Sequence, residues 1–136
     1  MSFRYKSALL SLVSLVLIYG WFFVALLYDR HADPAQMMMR LAGSVLLTAA
    51  IQIVGHIIIA LTSSDKYSAM DERERGFDRR GTSVGYYVLI LGALCAVATL
   101  HLGAHGPDIG YAVVLAIVLA ECARQALFLV LHHKAV

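Results

Sequence analysis

Four apolar runs, each close to the length of a bilayer crossing, govern what this chain can fold into. They cover residues 7–28, 41–62, 84–103 and 109–131. A helix rises about 1.5 Å per residue, so a hydrocarbon core of ~30 Å needs ~20 residues, and each run qualifies. Hydrophobic residues make up 60% of the chain and charged residues 15%, with a mean hydropathy of +0.75. A soluble domain is nearer 45 to 50% and about 25%. The 136 residues hold four spans and short loops, with no room for a separate soluble catalytic domain. The expectation is an all-α integral membrane fold, a single membrane domain over residues 1–136 arranged as a four-transmembrane-helix bundle.

The first run is too long for a signal-peptide core of ~7 to 15 residues and ends in Trp21, Phe22, Phe23 and Tyr28 rather than in small residues. It reads as a retained span. Asp33-Pro34 signals a turn or a helix start, Gly106-Pro107-Asp108 breaks the chain between the third and fourth spans, and residues 63–83 form a long polar loop. Eight basic residues (Arg4, Lys6, Lys66, Arg73, Arg75, Arg79, Arg80 and Lys134) fall on one side of the spans, against Arg30 and Arg40 on the other. The positive-inside rule then predicts cytoplasmic N- and C-termini and a cytoplasmic loop. Trp21, Phe22, Phe23, Tyr28 and Tyr111 are expected near the outer interface, and Phe3, Tyr5, Tyr67, Tyr86 and Tyr87 near the inner one.

Membrane helices meet through small residues, because lipid supplies no hydrophobic drive for their association. Gly81, Gly85, Gly92, Ala96 and Gly103 form such a stripe on the third span, with Ser7, Ser11 and Ser14 on the first and Ala112, Ala116 and Ala120 on the fourth. Packing inside one bundle is the expected use of these faces. A homodimer seam at Gly81 and Gly85 is the alternative.

Polar residues inside the runs are the candidate site. Ser44, Thr48, Gln52 and His56 recur at four-residue steps and so share one helix face. An unpaired polar group in hydrocarbon costs several kcal/mol, so that face should meet protein or water. On the fourth span Glu121 and Arg124 are spaced to pair, with Gln125 beside them. Counted from the cytoplasmic ends, these groups reach similar depths, and a cluster of Gln52, His56, Glu121, Arg124 and Gln125 is expected. It is either a network that fixes helix register or, because intramembrane ionisable groups often mark pathways, a proton or ion relay or a polar ligand pocket.

His101 and His105 stand four apart, with Asp108 three residues on, and could share a divalent metal at the outer face. The pair lacks the fixed ligand set of an established metal motif, and no cofactor is expected. Cys95 and Cys122 lie in apolar runs and form neither a CxxC nor a disulfide framework. The formal net charge is only +2 and no basic patch forms, so nucleic acid is not an expected partner.

In the loop, Asp71, Glu72, Arg73, Arg75, Arg79 and Arg80 are the candidate interaction residues, on a stretch whose order suits a helix continuing into the third span. Asp71 or Glu72 with Arg75, and Arg75 with Asp78, are spaced for ion pairs, and Ser68 or Asp71 could cap the helix. The five basic and five acidic residues of 63–83 cancel, which speaks against a strong anionic-lipid patch. Asp71-Glu72-Arg73-Glu74-Arg75, then Arg80-Gly81 and Gly85-Tyr86-Tyr87-Val88-Leu89, resembles the loop and third-span start of small prokaryotic four-span membrane proteins grouped as a domain of unknown function. The resemblance covers about 20 residues and departs from the family pattern at Gly76-Phe77. It implies a bacterial inner membrane and a shared loop feature at Asp71, Glu72, Arg73 and Tyr86; the family has no activity to lend.

No nucleophile with its base, phosphate loop or ligand set beyond the histidine pair is legible. The expected role is therefore non-enzymatic, an accessory or regulatory subunit or an oligomeric scaffold whose partners are the bilayer and a second copy or another membrane protein. A small transporter or channel using the polar cluster of spans two and four is the alternative.

Overall fold

The computed structural model describes residues 3–29, 33–62 and 72–134. They form α1 (Phe3–Tyr28), α2 (Pro34–Thr62), α3 (Glu72–Ala98), a short 3-10 helix (Thr99–Leu102) and α4 (Gly106–Lys134). All four α-helices are long and apolar enough to cross a membrane. The apolar runs end where the helices do at Tyr28 and Thr62. At most other termini the helices outrun them, as where α3 begins at Glu72 and carries the charged stretch as its first turns; the exception is the end of the third run, where α3 stops at Ala98 and the 3-10 helix at Leu102, short of Gly103.

Local chemistry explains the helix ends. Asp33 Oδ1 accepts the Ala35 N–H at 3.4 Å, and Pro34 takes the first helical position, where a missing N–H costs nothing. The turn after α3 closes at Gly103, whose φ of +82° is the left-handed conformation glycine adopts freely. Its N–H reaches Leu100 O at 3.2 Å and the Ala104 N–H reaches Thr99 O at 3.1 Å. This is a Schellman closure that satisfies the last carbonyls. Asp108 Oδ2 then accepts the His105 N–H at 3.1 Å as α4 starts.

The chain forms two compact units, Met1–Ser68 and Ala69–Val136. In the first, α1 packs on α2; in the second, α3 packs on α4. Phe22 of α1, 2% exposed, meets Phe23 edge-on with ring centroids 5.2 Å apart. Phe22 thus turns inward, whereas Trp21 and Tyr28 are largely exposed.

The second unit is held by close backbone approach. A Cβ at Gly81 would lie 2.9 Å from Arg124 O, one at Gly85 would lie 3.0 Å from Ala120 O, and one at Gly92 would lie 2.6 Å from Ala116 Cβ. The glycine stripe of α3 and the alanine stripe of α4 therefore face each other. The Gly81 and Gly85 face, read as a possible homodimer seam, is occupied by a helix of the same chain.

Candidate functional site

The polar residues within the apolar helices were expected to need partners, and six hydroxyls find one on their own helix. Ser44 Oγ donates to Arg40 O at 2.9 Å and Thr48 Oγ1 to Ser44 O at 2.8 Å. Ser14, Thr62, Ser83 and Thr99 do the same with Ser11 O, Ile58 O, Arg79 O and Ala96 O. This back-bonding is a standard outlet for a helical hydroxyl. Ser44 and Thr48 therefore oblige neither water nor a partner helix to be present.

His56 is bonded at both ring nitrogens. Nδ1 lies 2.5 Å from Gln52 O, one turn back, and Nε2 lies 2.6 Å from Ser7 Oγ on α1. A carbonyl only accepts, so Nδ1 carries a proton; in the neutral ring Nε2 then accepts the Ser7 hydroxyl. The hydroxyl and imidazole are a hydroxyl–base pair that sequence reasoning missed, since 49 residues separate them. The only signal was Ser7 leading the serine stripe of the first run. Gln52 supplies its backbone carbonyl, while its side-chain amide makes no hydrogen bond among the described residues.

On α4 the acidic and basic groups pair as their spacing predicts. Arg124 Nη2 stands 3.2 Å from Glu121 Oε1, and Gln125 Nε2 donates to that same oxygen at 3.1 Å. Both charged side chains keep about two-fifths of their surface exposed, 40% for Arg124 and 41% for Glu121. They border a recess of about 230 Å³ that includes Thr82, Gly85 and Tyr86 of α3. The expected cluster thus has two locally bonded halves, His56 with Ser7 in the first unit and Glu121, Arg124 and Gln125 in the second.

At the loop end of the first unit Arg40 Nη1 pairs with Asp29 Oδ2 at 3.1 Å. The guanidinium edges a groove of about 410 Å³ walled by Leu17, Trp21 and Leu47 and left open by Gly43.

The histidine pair does not share a helix turn. His101 belongs to the 3-10 helix, Gly103 reverses the chain, and His105 precedes α4. His105 Nδ1 is 3.7 Å from Asp108 Oδ2, a contact within the turn. Among the described residues no group of three or more His, Cys, Asp or Glu side chains is placed to hold a metal. Both cysteines are free thiols.

In the charged first turns of α3, Glu72, Arg73, Arg75, Arg79 and Arg80 are exposed. Among the described residues Arg75 pairs with neither Glu72 nor Asp78, contrary to their spacing. Such solvated pairs gain too little to hold two long side chains in one geometry. Asp71, Ser68, Lys66, Tyr67 and Arg30 lie outside the described residues. No family model, no curated protein and no solved structure matches this chain. The loop resemblance therefore rests on its own residues alone.

Proposed function

We propose that this chain is a non-enzymatic four-helix protein of the bacterial inner membrane that works by interaction, as an oligomeric scaffold or an accessory or regulatory subunit. Both termini face the cytoplasm in this reading, on the strength of the eight-to-two division of basic residues. A cytoplasm-only reporter fused after Val136 should be active, and activity of an outside-only reporter would reverse the faces.

The observation that carries the interaction reading is Gln52. It sits ten residues before the end of α2, ~15 Å along the axis, near the bilayer centre. Its amide makes no hydrogen bond among the described residues. In hydrocarbon an amide without a partner costs ~4 to 8 kcal/mol. A carboxamide is self-complementary, donating and accepting at once, so the same residue of a second copy would satisfy it twice. On α2 only Met37 and Thr48 are buried, which leaves that helix the most surface to offer.

The test is the oligomeric state of the protein in bilayers, by single-molecule photobleaching, compared with Gln52→Leu. A multimer that dissociates on substitution is the expected result. Monomers for both proteins, with no membrane partner recovered after mild solubilisation, would refute the reading.

A small transporter or channel is favoured by one observation, the half-exposed Glu121 and Arg124 pair opening into a recess. Proton or cation flux into liposomes should then fall with Glu121→Gln. Flux equal to that of empty liposomes would eliminate it.

A further inference from the structure

A groove of about 600 Å³ runs between α3 and α4, bounded by Arg79 and Arg80 on one side and by Val84, Leu127 and Leu131 on the others. Its two cations are uncompensated: among the described residues neither guanidinium lies within 4.0 Å of a carboxylate, their sequence neighbour Asp78 included. Gly76 also lines it, and a Cβ built there meets nothing within 4 Å, so a side chain at that position has open space to enter.

We propose that this groove binds an anionic phospholipid, the phosphate held by Arg79 and Arg80 and an acyl chain lying along Val84, Leu127 and Leu131. The inference rests on the membrane reading above. Charge selects the head group, since a guanidinium presents a planar fork of donors that matches phosphate oxygens. Position selects a lipid over a free anion. The arginines stand where the charged first turns of α3 give way to its apolar run, and a small soluble anion would leave the valine and leucine walls uncovered. The zero charge of residues 63–83 conceals this site, because a segment sum averages the two arginines with Glu72, Glu74 and Asp78, none of which pairs with them among the described residues.

The experiment follows thermal unfolding of the full chain in a neutral detergent while phosphatidylglycerol, phosphatidylcholine or inorganic phosphate is titrated in. Phosphatidylglycerol should raise the melting temperature saturably, with an apparent affinity roughly tenfold above that of phosphatidylcholine, about 1.4 kcal/mol. Inorganic phosphate should have no such effect. Arg79→Gln with Arg80→Gln should abolish the preference. Gly76→Leu, which adds an apolar side chain at the groove wall and keeps both charges, should weaken it; circular dichroism of each variant confirms that the helices remain.

Undiminished preference in Gly76→Leu would mean diffuse surface charge and overturn the site. So would equal effects of the two lipids, or full protection by inorganic phosphate. Flotation with liposomes separates the two levels of failure: protein that will not reconstitute refutes the membrane reading, whereas protein that reconstitutes without head-group preference refutes this inference alone.

Discussion

Moving one methyl group across the α3 and α4 contact is the sharpest test of how the second unit is held. A Cβ at Gly92 would sit 2.6 Å from Ala116 Cβ, about 1 Å inside the ~3.5 to 4.0 Å optimum for two carbons. Forcing a methyl into a filled contact costs ~1 to 3 kcal/mol, offset by the ~0.8 to 1.0 kcal/mol that alanine gains over glycine in a helix. Gly92→Ala alone should therefore lose up to ~2 kcal/mol. Ala116→Gly alone gives up the same propensity term and one packed methyl, ~1 to 2 kcal/mol together. In the double variant the propensity terms cancel and a single methyl again lies between the helices, now attached to α3. The double should be close to the parent, with a favourable coupling of ~2 to 4 kcal/mol, the sum of the relieved clash and the restored methyl contact. All four proteins would be unfolded reversibly in mixed micelles by titrating a denaturing detergent. Independent sites add within ~0.3 to 0.5 kcal/mol, so a coupling inside that range would refute a crossing at Gly92 and Ala116.

Ser7→Ala and His56→Leu should each destabilise the α1 and α2 hairpin by ~1 to 3 kcal/mol, and the pair of changes should cost little more than His56→Leu alone, since that change already deletes the bond to Ser7 together with the one to Gln52 O; a fully additive double in the same unfolding assay would contradict the contact. Arg124→Met should cost more than Glu121→Leu combined with Arg124→Met, because the single change strands a carboxylate, and two-fifths exposure should keep that cost below the ~3 to 5 kcal/mol of a fully buried pair. Equal melting of the three proteins would show that both groups already reach water. Gly103→Ala should lose ~1 to 2 kcal/mol from the left-handed φ of +82°, with Gly103→Asn milder, and an alanine variant as stable as the parent would refute that turn geometry.

What could be read from the chain, and what could not, divides along the range of the interactions. Helix ends at Tyr28, Pro34 and Thr62 follow from local composition and capping chemistry, and so they were legible. The Glu121 and Arg124 pair was legible too, because its partners are one turn apart. Hydropathy alone puts the third run at 84, since it reports where lipid would begin rather than where the backbone ladder does; the charge order of the loop carries the expected helix back through this stretch, and α3 is described from Glu72. His56 could not be matched to Ser7 from its own helix, where every neighbour at four-residue spacing is a competitor. Glycine spacing told that α3 makes a close contact. It does not encode whether the facing helix belongs to the same chain, and here that helix is α4.

The six back-bonded hydroxyls bear on the order in which such a protein assembles. If the chain enters a bilayer segment by segment, these six hydroxyls, each bonded to a carbonyl about one turn back, need no neighbour to receive them, whereas the Gln52 amide still does. The bond between His56 and Ser7 has a different timing. It joins two helices and needs both in place, so it would form only once α2 lies beside α1, and no single segment can satisfy it on its own.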